Sequence, residues 1–121
     1  QLMGGNDKVI ADLSHLFEQT PENMMWNDYY NHANEPVHHV PFLFNRIGAP
    51  WLTQKWTRAI CSRAYHNSVE GLEGNEDVGQ MSAWYVLAAI LRRVALRGTN
   101  RGPVINDYWL EWIEENNNYL A

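Results

Sequence analysis

Apolar residues near the start of the chain fall at Val9, Ile10, Leu13, Leu16 and Phe17. This three-and-four spacing predicts an amphipathic helix over residues 6–17, with Asn6 as its N-cap. "EQTPEN" ends the pattern, and "MMWNDYYNHANEP" follows with no clear period. A loop of that length inside a compact domain is often functional. Pro36 suits the first turn of a second helix, "VHHVPFLFNRIG", which Pro41 must kink or delay and Gly48 stops. "APWLTQKWTRAICSRAYH" predicts a third helix, with Trp51, Lys55 or Trp56, Ala59, Ile60 and Ala64 recurring at three and four. Gly71, Gly74 and Gly79 punctuate the next loop. "QMSAWYVLAAILRRVAL" then reads as a helix apolar on nearly every side before its arginines, so its first half is expected to be buried all round. Gly98, Gly102 and Pro103 break the chain before a last amphipathic helix from about Asn106, with Trp109, Trp112 and Ile113 on one face. No strand pattern and no internal repeat emerges. The expectation is an all-α fold of about five helices, arranged as a helical hairpin array.

Composition narrows the function classes. The 121 residues suit one domain, and 45% hydrophobic with 19% charged residues indicate a globular chain. A net charge of −5 without a basic run gives no electrostatic footprint for nucleic acid. No apolar run reaches the roughly 18 residues of a membrane span, and QLMGGND does not read as a signal peptide. The opening Gln1 leads us to expect a piece of a longer protein. Cys61 has no second cysteine to pair with and falls in a helical apolar pattern, which suits a buried structural thiol better than a nucleophile. Six Trp and six Tyr are many for this length, and a core would take some of them. Aromatic faces also serve as platforms for the C–H faces of sugar rings.

Chemistry-bearing residues gather in two loops, each just before a helix. "NHANEPVHH" holds Asn34, Glu35, His38 and His39, and "GNEDVGQ" holds Asn75, Glu76 and Asp77. In a helical hairpin array, loops at the same end can face one another, which would place Glu35 and Asp77 in one cleft. Carboxylates, an Asn amide and backbone carbonyls are the hard oxygen ligands that calcium takes. A carboxylate pair across a pocket is also the machinery of glycoside hydrolysis. The same residues serve equally as N-terminal caps and macrodipole partners, and spacing alone favours that reading because the EF-hand pattern is absent. Adjacent His38 and His39 would point about 100° apart on a helix, and there is no HExxH, so zinc is not expected. Neither GxSxG nor a Gly-rich phosphate loop is present.

The run from Gly4 to about Ile90 resembles the C-terminal part of the catalytic domain of glycoside hydrolase family 92, the calcium-dependent, inverting, exo-acting α-mannosidases. The resemblance is carried by Gly4-Gly5, by Asn34-Glu35-Pro36 with His39 following, and by Gly48-Ala49-Pro50-Trp51-Leu52-Thr53-Gln54. It is densest over Gly71-Leu72-Glu73-Gly74-Asn75-Glu76-Asp77-Val78-Gly79-Gln80-Met81-Ser82-Ala83-Trp84-Tyr85. It implies that residues 1–90 are part of an (α/α)6 barrel whose substrate is a mannose-terminated, α-1,2-linked glycan. Asp77 would then be the general base, with Glu76, standing where Asp is usual, assisting or orienting. Asn34 and Glu35 would lie in the region that holds calcium and the terminal mannose, with His39 and Asn75 meeting the sugar. Thr53 and Gln54 would be structural or calcium-linked, and Trp84 and Tyr85 core.

The family's proton donor lies upstream of this stretch, and its β-sandwich domain has no counterpart here, so the chain alone is expected to be inactive. The resemblance stops after Ile90. A helical continuation, Leu91 to Gly98, replaces the family's Pro-Gly turn, so residues 91–121 are expected to be a divergent tail from a frameshift or a fusion. The parent is expected to be periplasmic, on the cell surface or secreted. The faces that once met the missing helices would be covered in a homodimer.

Overall fold

A computed structural model of the chain describes residues 4–98, with side chains through Ile90. The described residues are all-α. Helix α1 spans Asn6–Glu18, α2 Leu43–Arg46, α3 Pro50–Arg63 and α4 Gln80–Gly98, with 3-10 turns at Glu35–Val37 and Val40–Phe42. The nearest approach to a sheet among them is one antiparallel bridge between Tyr65 and Leu72. The expected final helix from Asn106 lies outside the described residues.

Several elements differ in detail from the sequence expectation. Gly5, at a positive φ of 95°, holds the N-cap position of α1. Asn6 is instead the first helical residue, and its amide donates to the carbonyl of Ile47 at 3.4 Å. The second predicted helix is broken into three short pieces. Pro36 and Pro41 each sit in the first turn of a 3-10 segment, where a missing N–H is harmless, and only Leu43–Arg46 turns as an α-helix. Two prolines so close deny the backbone the i to i−4 bonds that a continuous helix requires. Gly48, at φ 83°, ends the run as expected.

The core forms where α1, α3 and α4 meet the loop between α1 and α2. Phe17, Met24, Tyr30, Phe44, Ala49, Trp56, Ile60, Ala64, Trp84 and Ala88 make one buried cluster. At its centre the Phe17 ring stacks on Trp56 at 5.1 Å and lies 4.8 Å from Tyr30. The aperiodic loop is ordered by its own amides. Asn27 donates to the carbonyls of Met25 and Tyr30, and Thr20 Oγ1 donates to Leu16 while accepting from Tyr30 N–H.

Two burial expectations are corrected. Along α4 as far as Ile90 the buried side chains are Met81, Trp84 and Ala88, one narrow stripe at helical spacing, whereas Tyr85, Val86, Leu87 and Ile90 are 42–58% exposed. The first half of α4 is therefore covered on one side only, and Tyr85 is not core. Trp51 lies outside the buried face of α3 as well, at 49% exposure, while Trp56, Ile60 and Ala64 carry the core contact.

Candidate functional site

The two acid-bearing loops lie against one another. Gly74 has φ 80°, and a Cβ there would meet the Ala33 Cβ at 2.8 Å, so the second loop packs tightly on the residue before Asn34. From the start of α4, Gln80 donates through Nε2 to the Glu35 carbonyl at 3.2 Å and to His38 Nδ1 at 3.3 Å. Trp84, one turn on, donates its indole N–H to the His38 carbonyl at 2.9 Å.

This packing sets Asp77 beside Glu35, near enough for a hydrogen bond between the two carboxyl groups to bear on Asp77. The Asp77 carboxyl is raised above its ordinary range, first by that hydrogen bond, then by the charge of Glu35 and by partial loss of hydration. The backbone presenting it is strained. Asp77 and Val78 sit at φ 37° and 59°, followed by Gly79 at 84°. A β-branched residue in the left-handed region is a genuine outlier, and such strain gathers at functional sites.

The other predicted residues fall around this pair in different ways. Glu76 spends its carboxylate on α4, accepting from Ser82 N–H at 3.0 Å and from Ser82 Oγ at 2.8 Å. It is a helix cap one residue from the acid pair. Asn34 is half-buried at the head of the 3-10 turn that carries Glu35, and its side chain does not cap that turn. His39 points out to solvent and donates from Nδ1 to the Pro36 carbonyl at 3.0 Å, while Asn75 is exposed on the tip of its loop. Thr53 is buried on α3, and its hydroxyl has no hydrogen-bond partner among the described residues.

Beneath the acid pair lies a polar network with no signature in the sequence. His32 is fully buried. Its Nε2 is 2.8 Å from the Tyr65 hydroxyl and its Nδ1 is 2.9 Å from the Tyr30 hydroxyl. Tyr65 gives its single proton to the Met81 carbonyl at 2.9 Å, so it must accept from His32 Nε2–H. Nδ1 then accepts from Tyr30, which fixes a neutral imidazole. Burial, with a smaller contribution from the charge of His38, pushes His32 down from 6.5 to about 3. His38 stacks on His32 at 4.5 Å and donates from Nε2 to the His32 carbonyl at 2.9 Å, which leaves its Nδ1 free to accept from Gln80. These groups come from three separate stretches of chain, so no spacing rule links them.

Calcium takes six to eight oxygen ligands. Glu35, Asp77 and Asn34 are donors of the right hardness. Among the described residues, however, no group of three or more acidic, histidine or cysteine side chains converges on one point.

Residues 1–90 match the glycosyl hydrolase family 92 catalytic domain. The chain belongs to that family. Both loops, the acid pair and the first half of α4 lie inside the matched region, which ends at residue 90. A relative from Arthroderma benhamiae, named an uncharacterized secreted glycosidase, is 29% identical over 87 residues. The alignment covers 72% of this chain and 10% of the relative, so the chain spans about a tenth of the curated relative that it matches. By family, then, the chain is part of a glycoside hydrolase, and the two acid-bearing loops of this family 92 segment pack against one another.

Proposed function

We propose that this chain is a fragment of a secreted or cell-surface glycosidase that removes terminal α-linked mannose, α-1,2-linked by resemblance, with inversion at the anomeric carbon. The observation that carries the reading is that the Glu35 and Asp77 loops pack against one another, Gly74 on Ala33 and Gln80 on the Glu35 carbonyl. Asp77, made more basic than an ordinary aspartate by its neighbour, takes the proton from an attacking water. The water oxygen bonds to the anomeric carbon as the glycosidic bond breaks, and the leaving oxygen needs a proton from an acid. Glu35 is too close to be that acid. Inverting enzymes hold their carboxyl groups about 6.5–9.5 Å apart, whereas Glu35 lies next to Asp77. The proton donor therefore comes from elsewhere in the parent, which is part of the same (α/α)6 catalytic barrel on this reading. Without it the chain forgoes the roughly 10²–10⁴-fold that general acid assistance supplies.

Glu76 orients the base by capping α4 beside it. His39 Nε2 and the Asn75 amide are free to meet sugar hydroxyls. Calcium is assigned to the parent site, with Asn34 and Glu35 giving part of its oxygen set and the remaining ligands coming from outside this chain. A calorimetric calcium titration tests this on the chain and on Glu35→Gln. Binding that the substitution abolishes supports the assignment, while binding indifferent to it removes Glu35 from the metal. Release of mannose from an α-1,2-mannobiose by the chain alone would contradict the missing acid.

A second reading rests on the uncovered apolar face of α4, Tyr85, Val86, Leu87 and Ile90. On it the chain is a non-catalytic helical module that self-associates as a homodimer through this face. A gel-filtration mass equal to the monomer would count against it.

A further inference from the structure

Gln80 bonds to both acid-bearing residues at once. Its backbone N–H donates to the Asp77 carbonyl at 3.1 Å, and its side-chain amide donates to the Glu35 carbonyl at 3.2 Å. The same amide nitrogen reaches His38 Nδ1 at 3.3 Å, and His38 is in turn tied to fully buried His32. One residue therefore links the strained Asp77 turn, the Glu35 turn and the buried network. Trp84 reinforces the grip from four residues along the same helix, through its bond to the His38 carbonyl.

We propose that Gln80 is the positioning residue of the two acid-bearing loops, holding the Glu35 turn against the Asp77 turn by bonding to both. The chemistry requires an amide of this length. It needs two N–H donors on one nitrogen, one for a carbonyl and one for an unprotonated imidazole nitrogen, on a stem long enough to leave α4 and reach the other loop. A carboxylate lacks the donors, and asparagine lacks the reach. The significance of the pair rests on the glycosidase reading, but the placement itself does not. Its test involves neither metal nor sugar, so a chain that fails to bind calcium leaves the result intact.

The test is solution NMR on the 121-residue chain, comparing wild type with Gln80→Met and Gln80→Asn. Gln80→Met keeps the bulk of the side chain and removes both donors. The expected result is loss of the cross-relaxation between the Glu35 and Asp77 side-chain methylenes. Amide exchange should rise roughly tenfold at Val37 and His38, whose N–H groups close the Glu35 turn. Protection of Ile60 and its neighbours on α3 should be unchanged. Gln80→Asn should reproduce the loss, because the amide is present but short. Persistence of the Glu35–Asp77 cross-relaxation in both variants would overturn the proposal. So would a uniform loss of protection that includes α3, or unfolding of both variants, since Gln80 would then merely hold the fold together.

Discussion

Acidification should destabilise the chain through His32. In the folded state its imidazole is boxed in by Tyr30, Tyr65, His38 and Trp84, accepts a hydrogen bond at one nitrogen and donates at the other. A second proton would leave Nδ1–H facing a hydroxyl that is already donating. The folded state therefore binds this proton only near pH 3, whereas the unfolded chain binds it near 6.5. Because the unfolded state holds more protons between those values, stability rises with pH there. The contribution is fully present above 6.5 and is lost as pH falls towards 3. The slope is about 1.4 kcal/mol per pH unit, or about 2.5 kcal/mol between about pH 7 and about pH 4.5. Urea unfolding followed by tryptophan fluorescence reads it directly, with Trp84 only 4.4 Å from His32 as a reporter. The comparison is His32→Gln, which cannot titrate. Its stability is lower near neutral pH, because the buried Tyr30 hydroxyl loses its partner, but its curve should lack the His32 slope. Asp77 works in the opposite sense, since a raised carboxyl adds stability as pH falls, and it is common to both proteins. Wild-type and His32→Gln curves that run parallel between about pH 7 and about pH 4.5 would refute the buried neutral imidazole.

Other substitutions test the packing and the loop. Phe17→Ala removes the ring stacked between Trp56 and Tyr30 and should cost about 3–5 kcal/mol by urea denaturation. Val78 is fully exposed at φ 59°, so Val78→Gly loses no packing while relieving a left-handed β-branched residue. It should raise stability by up to about 1 kcal/mol in the same assay. Gly74→Ala puts a methyl 2.8 Å from the Ala33 Cβ at φ 80° and should destabilise by about 1–3 kcal/mol. Amide exchange in the Glu35 turn should rise with it, because the two loops are pushed apart.

Much of this protein was legible in its one-dimensional pattern. The three-and-four spacing of Val9 to Phe17 and of Trp56, Ile60 and Ala64 determined α1 and the buried face of α3, because helical propagation and a single apolar stripe are local properties. Pro36, Pro41 and Gly48 marked the start, a kink or delay, and the end of a second helix, but not that the segment would break into two 3-10 turns and a single α-turn. The acid-rich loops stood out through residue type, and that type did not distinguish a cap from a reacting group. Tertiary structure gave the two acids different surroundings. Glu76 turned back onto Ser82 as a cap, while Asp77, its neighbour, was turned by a strained backbone onto Glu35. The exposure of Tyr85, Val86, Leu87 and Ile90 could not be read from an apolar helix, because periodicity says which side chains prefer burial and only the packed neighbours decide which achieve it. The network of Tyr30, His32, Tyr65 and His38 was invisible for the same reason. Its hydrogen bonds join residues up to 33 positions apart, and such partners are chosen by how helices and loops close in space.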